Sequence, residues 1–274
     1  MAMHRPGDAF NSEDIPRPIY AVGMELSNSG IVQASHSHPK AELILTKRGL
    51  LTCEVTNGLW MVPPHCALWI PSGMEHGAKA IGELEAYILF VDPGLASELP
   101  AECCTVSVDP LLRELVAAVA RLPPLYDHEG PDGRLVHTML DRLQIAPVER
   151  LHLPHPADAR LRRIAEALAT DPSDRATIGE WAHRVAMSER TLSRSISRET
   201  GMSFGRWRQQ FQILVALERL VRGDSVQSVA FDLGYESVSA FITMFKKALG
   251  QSPGKYITSR SGQAGVMRES LALQ

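Results

Sequence analysis

The chain has 274 residues, with 28 Lys and Arg against 31 Asp and Glu for a formal net charge of −3. That length accommodates two domains with separate cores, whereas its four cysteines (Cys53, Cys66, Cys103, Cys104) have neither the density of a disulfide scaffold nor the spacing of a metal finger. The first residues hold no apolar run of the signal-peptide kind and no stretch reaches membrane-spanning length, so the expectation is a cytoplasmic protein of a reducing compartment with no membrane partner.

From residue 16 to 105 the sequence predicts a β-rich domain, the first 15 residues being set aside as Pro-, Gly- and charge-rich. Short apolar runs at Ile19–Val22, Leu43–Thr46, Leu50–Val55, Leu59–Val62, Ala67–Ile70 and Ala86–Val91 are separated by turn signals, among them Lys47-Arg48-Gly49 and Asn57-Gly58. The Asn-Gly pair between Val55 and Leu59 is a hairpin signal. Strands at this density with no helices between them argue for a β-sandwich or small barrel.

Four polar residues stand out within those strands. His36-x-His38 puts two imidazoles on one side of an extended strand, because side chains alternate with period two. With Glu42 and His76 they form a mixed N/O set suited to Zn, Ni, Mn or Fe. The spacing Gly30-x5-His36-x-His38-x3-Glu42-x6-Gly49, followed by Pro71-x-Gly73-x2-His76, resembles the cupin signature. The resemblance implies a cupin-like barrel holding a divalent metal on those four residues. The alternative is that they line a pocket for an organic ligand without any metal. Trp60, Trp69, Tyr87 and Phe90 are read as core.

Residues 106–146 read as a helical segment. One helix opens at Asp109 with Leu111, Leu112, Leu115, Val116 and Val119 on one face, and a second runs from about Gly133 to Ile145. Apolar stripes this wide must bury against something: each other, the barrel or a second copy of the chain would all serve, and a homodimer is the expectation weighed against packing within the chain alone. Residues 147–157, with three prolines and no periodicity, read as a semi-rigid linker.

The last part, 158–260, differs in charge as well as pattern. From Asp158 to Arg260 there are 16 Lys and Arg against 11 Asp and Glu, leaving 12 against 20 elsewhere, so the basic part is the one expected to meet phosphate. Asp158 caps a helix. Thr177 with Glu180 forms a capping box for a second helix, Ala186-Met187 make a turn, and Ser188 opens a third. A long helix from about Phe204 to Arg222 follows, and then Ser225–Tyr256 repeats the helix, turn, helix pattern around Gly234. The two helix-turn-helix units (177–200 and 225–249) would be held by a strut of ~28 Å at ~1.5 Å per residue, close to the ~34 Å recurrence of the major groove. A fold of the α+β multidomain class is expected: an N-terminal cupin-like β-barrel followed by an all-α double helix-turn-helix domain.

The run Asp232-Leu-Gly-Tyr235-Glu-Ser237, with Ala240-Phe241, Phe245-Lys-Lys247, Gly250 and Ser252-Pro253-x-x-Tyr256, resembles the AraC/XylS family of transcription regulators over about residues 158–258. The resemblance implies a regulator of promoter DNA that acts on RNA polymerase, usually dimeric and responsive to a small-molecule effector. On the matching positions, Arg190, Ser193 and Arg194 of the first unit and Val238, Ser239 and Thr243 of the second face the bases. Arg198, Arg208, Lys246 and Lys247 are candidates for phosphate. No cofactor is required for DNA binding itself. A rival reading is a cupin metalloenzyme whose DNA-binding domain only regulates its own supply.

Overall fold

The computed structural model describes residues 15–258 except 28, 29, 31, 56, 57, 65, 98 and 150. The chain divides between His152 and Leu153 into two units. Strand-forming sequence dominates the first: β1 (Ile19–Leu26), β2 (Val32–His36), β3 (Ala41–Val55), β4 (Gly58–Val62), β5 (Cys66–Ile70), β6 (His76–Val91), β7 (Cys104–Ser107) and β8 (Val148–Glu149). Helix α1 (Pro93–Ala96) precedes β7, while α2 (Pro110–Val119) and α3 (Pro131–Gln144) lie between β7 and β8. The strands join in the order β1-β6-β3-β5-β7-β8, with β2 added to β6 and β4 to β3.

Two long strands carry the sheet. The first half of β3 lies between β5 and β6, and its second half lies between β4 and β6. The change of neighbour coincides with register shifts between Thr46 and Leu50. Lys47-Arg48-Gly49 is therefore a bulge inside one 15-residue strand, not the turn that the sequence suggests. Gly49 has φ +86°, and a Cβ there would come 2.5 Å from the Glu83 carbonyl oxygen. Asn57 lies outside the described residues, but Val55 pairs with Gly58 as a two-residue hairpin requires. Leu151 is buried, its carbonyl accepts from Met61 N, and β8 pairs with β7. The expected linker 147–157 thus begins as part of this unit, because Val148 and Glu149 continue the sheet. His152, within that expected linker, stacks its ring on Trp60 at 4.7 Å.

The sheet separates two apolar clusters. One face collects Leu43, Leu45, Trp69, Tyr87 and Leu89, covered by Leu112, Val116 and Val119 of α2 and by Val136, Met139 and Leu143 of α3. The other face collects Ile44, Leu51, Cys53, Val62, Leu68, Ile70 and Ile88, with Trp60 and Phe90 packed alongside. Burial pushes the Cys53 and Cys66 thiols up to about 12, so neither is a nucleophile at neutral pH. The Asp109 carboxylate caps α2 by accepting from Leu112 N at 2.7 Å. Most of the predicted α2 stripe is consumed within the chain. Leu111 departs from it and is 54% exposed.

The second unit is helical throughout: α4 (Ala159–Thr170), α5 (Ile178–Arg184), α6 (Glu189–Thr200), α7 (Phe204–Arg222), α8 (Val226–Asp232), α9 (Val238–Leu249) and α10 (Pro253–Thr258), with β9 (His152–Pro154) spanning the junction. Side-chain caps start helices at Asp158, Thr177 and Ser188, where the sequence predicts, and also at Ser225 and Ser237. The capping box of Thr177 and Glu180 is complete. Trp207, Phe211, Leu217 and Leu220 of α7 are buried, as are Trp181, Leu192, Ile196, Val229, Phe241 and Phe245 of the other helices. Ala240 is exposed, so the buried face of α9 is Phe241 and Phe245 flanked by Met244 and Leu249. The observed architecture is an antiparallel sheet unit followed by an all-α unit, as the sequence indicates.

Candidate functional sites: a buried His/Glu cluster and a two-helix outer face

His36 ends β2 and stands opposite His76 at the start of β6. His38 lies past the end of β2, so strand alternation does not bring the two imidazoles together; the connector from β2 to β3 does. Glu42 arrives on β3, one strand over. The ring centroids of His36 and His76 are 4.4 Å apart, and those of His38 and His76 are 5.2 Å apart. One nitrogen from each of the three histidines falls within 4.8 Å of the others. Glu42 Oε2 joins through two of them, 3.1 Å from His38 Nε2 and 2.9 Å from His76 Nε2.

Backbone carbonyls orient all three rings. Nδ1 of His36 donates to Ala34 O at 3.1 Å, Nδ1 of His38 to Lys40 O at 2.6 Å, and Nδ1 of His76 to Met74 O at 2.9 Å. A carbonyl only accepts, so Nδ1 of each ring carries a proton; Nε2 of His38 and His76, facing the ionised Glu42, either carries a second proton or gives its lone pair to a cation. That is how metal-ligating histidines are held. Nε2 of His76 is buried and close to Glu42 yet makes no hydrogen bond, an orphan that a cation would satisfy. Burial pushes the Glu42 pKa up, but the His38 and His76 imidazoles outweigh it and hold the carboxyl at about 2. Burial likewise lowers that of His76, and Glu42 with the Met74 carbonyl reverses the sign, so it is raised. The four predicted residues therefore converge as a deprotonated carboxylate and three oriented imidazoles, a donor set that fits a divalent metal. Gln33, whose Nε2 sits 3.2 Å from His36 Nε2, is a neighbour that the motif spacing did not reveal.

On the second unit, α6 turns Leu192, Ser195 and Ile196 inward and leaves Arg190, Ser193, Arg194 and Arg198 exposed. Arg190 and Arg194 have no hydrogen-bond or ion-pair partner among the described residues. Among the described residues Arg198 pairs only with the adjacent Glu199. On α9, Ser239, Thr243, Lys246 and Lys247 are exposed and Val238 is half-buried. Thr243 Oγ1 donates to Ser239 O at 2.9 Å, which leaves the hydroxyl little freedom to read a base. Arg208, also expected at phosphate, is half-buried: its guanidinium donates to Ala176 O at 3.1 Å and lies over the Phe204 ring.

The two helix-turn-helix turns are built alike. Met187 N donates to Ala182 O at 2.8 Å, and Tyr235 N donates to Ala230 O at 3.0 Å. Each turn needs one left-handed residue: Gly234 at φ +78° in the second, Ala186 at φ +53° in the first.

Among known proteins, the profile of the AraC-like ligand binding domain matches residues 22–181, and a helix-turn-helix domain profile matches residues 181–259. The HTH-type transcriptional regulator NimR of Escherichia coli (strain K12) is 46% identical over 222 residues, 81% of this chain and 81% of the relative. The HTH-type transcriptional regulator RipA of Corynebacterium glutamicum is 31% identical over 113 residues, 41% of this chain and 34% of that one. Among solved structures, unsaturated-fatty-acid-bound ToxT of Vibrio cholerae aligns over 89% of this chain and 96% of its own, at 10% identity and a TM-score of 0.38.

Proposed function

The chain belongs to the AraC/XylS family of transcription regulators, a DNA-binding regulator with an N-terminal ligand-binding domain and not an enzyme, and from that premise we propose that it reads two successive major grooves of promoter DNA with α6 and α9. The observation that carries this reading is the outer face of α6, where Arg190 and Arg194 stand exposed one helical turn apart and unpaired among the described residues. An unpaired guanidinium is free to bridge guanine O6 and N7 in the bidentate manner that discriminates bases by ~1–3 kcal/mol. With Val238, Ser239 and a hydroxyl-committed Thr243, α9 supplies shape and methyl contacts, while Lys246, Lys247 and Arg198 supply phosphate anchoring.

The ligand-binding unit is the sensor in this reading. His36, His38, Glu42 and His76 would hold a divalent ion of the Zn, Ni, Mn or Fe class. Bound there, the ion would supply a Lewis-acidic site for a donor atom of a small-molecule effector. DNA binding itself requires no cofactor. A homodimer is proposed through the first unit. Its support is the set of exposed apolar residues Leu111, Ile145 and Val148, with α3 tied to the start of α2 by the Arg142–Asp109 ion pair of 2.7 Å. A cytoplasmic location and an action on RNA polymerase complete the proposal.

The test is selection of an operator from random duplexes by the full chain, followed by affinity measurements at fixed salt. Arg194→Ala should relax preference at one base position at a cost of ~1–3 kcal/mol, and Lys247→Ala should weaken all sequences alike and lower the salt slope by about one. Unchanged preference and affinity in both variants would remove α6 and α9 from the DNA face.

A further inference from the structure

A helix such as α7 fixes the distance between its ends, but not how the structures at those ends are rotated. Both joints of α7 are glycine turns in the left-handed region, Gly201 at φ +68° before it and Gly223 at φ +101° after it. The orientation of each reading head must therefore come from side-chain contacts.

We propose that Gln212, near the middle of α7, fixes the spacing and mutual orientation of the two reading heads by holding both on one side-chain amide. Gln212 Nε2 donates to the carbonyl of Pro172 at 3.1 Å, in the loop that leads from α4 into α5. Gln212 Oε1 accepts from the Tyr235 hydroxyl at 2.9 Å, in the turn between α8 and α9. The Pro172 carbonyl can only accept, so the amide nitrogen must face it, and the amide oxygen is left for the phenol. Burial pushes the Tyr235 phenol above its usual value, which keeps it a donor.

The link continues into the helix that faces DNA. The Tyr235 ring meets the edge of Phe241 at 5.6 Å, and Phe241 is fully buried on the side of α9 away from Ser239 and Thr243. Two further contacts press the same loop and turn together. A Cβ on Gly234 would lie 3.1 Å from the Ser173 carbonyl oxygen, and Arg175 Nη1 reaches Glu236 Oε1 at 3.0 Å. That ion pair is exposed and contributes little. Half-buried, the amide relay is the stronger tie, because breaking one side leaves a polar group unsatisfied.

This inference rests on the two-groove reading of α6 and α9. One base pair inserted between two boxes moves the second by ~3.4 Å and rotates it by ~35°. A rigid pair of heads loses the contacts of one head under that change; a loosened pair adapts.

The experiment uses the full chain and the operator it selects from random duplexes, with binding measured by fluorescence anisotropy at fixed salt. The wild type is expected to lose about 100-fold in affinity when one base pair is inserted or deleted between the boxes. Gln212→Glu keeps the acceptor for Tyr235 and removes the donor to Pro172. Tyr235→Phe removes only the hydroxyl and keeps the ring on Phe241. Each should weaken the native spacing about five- to tenfold and cut the penalty for altered spacing to about tenfold, with no further loss in the double variant. A selected operator with one box would overturn the two-groove reading and this proposal with it. Two boxes whose spacing preference survives both substitutions, or a uniform loss at every spacing, would overturn the proposal alone.

Discussion

Glu42 is buried on β3 with two imidazoles against one carboxylate oxygen, and its charge is the reason a cation would enter the cluster at all. An ionised carboxylate in such surroundings is sustained only by positive charge or donors next to it. The proposed metal follows from that balance, and so does its test. Full-length protein stripped with chelator and dialysed against Zn or Ni should return with about one ion per chain. His76→Ala should lower the affinity by more than the ~10- to 100-fold that loss of a supporting hydrogen bond costs. Metal content unchanged by His76→Ala would place the ion elsewhere. The spacing of the four residues was legible in the sequence because a motif is a sequence property. The carbonyls of Ala34, Lys40 and Met74 that orient the rings were not, since a backbone carbonyl has no signature in side-chain identity. Arg208 is a related case. Its charge suits phosphate, and only the fold reveals the Ala176 carbonyl and the Phe204 ring waiting for it.

Helices and strands differed in how much of them could be read from the chain, and locality explains why. The caps at Asp109, Thr177, Ser188, Ser225 and Ser237 act on amides two or three residues away, so local sequence specifies them. Strands β2 and β7 are short and carry no clean alternation; they exist because β6 and β5 accept them as partners. The bulge at Lys47-Arg48-Gly49 looks like a turn from within, because the same left-handed glycine serves both. The paired turns give the element-scale prediction. Ala186 holds φ +53° where Gly234 holds φ +78°, and an L-residue there costs roughly 1–2 kcal/mol. Ala186→Gly should therefore stabilise the second unit by about 0.5–1 kcal/mol after the added freedom of the unfolded chain is deducted. Gly234→Ala should destabilise by about 1–2 kcal/mol, since it adds a Cβ 3.1 Å from the Ser173 carbonyl oxygen as well. Urea midpoints at equal slope measure both. A stabilising Gly234→Ala would mean that the two turns are not equivalent. On α2, Leu111→Asp exchanges an exposed leucine and should leave the fold intact. Loss of dimer mass in sedimentation would then locate the proposed contact there, and an unchanged dimer would exclude that face.

The molecule separates its two tasks by unit and by charge. The part from Asp158 to Arg260 carries the excess of Lys and Arg, and the rest carries the excess of Asp and Glu. The helical unit from Leu153 onward has its own core around Trp207, Leu217, Phe241 and Phe245, so a fragment of residues 153–274 is expected to fold alone. In the proposed dimer, four reading helices are joined through the first units, and the second pair binds at an effective concentration set by that joint. Such linkage raises avidity ~10²–10⁴-fold without adding a contact. The fragment should accordingly keep the base preferences of the full chain at each box while losing affinity by that order on a two-copy operator. On an operator holding one copy, the fragment and the full chain should bind equally. Metal or effector at 100-fold excess over Kd should stabilise the full chain by ~2.7 kcal/mol and leave the fragment unmoved. Anisotropy titrations on one-copy and two-copy operators decide the first point. Equal affinities on the two-copy operator would show that the first unit contributes no linkage, and a fragment with altered base preference would show that readout is not confined to α6 and α9.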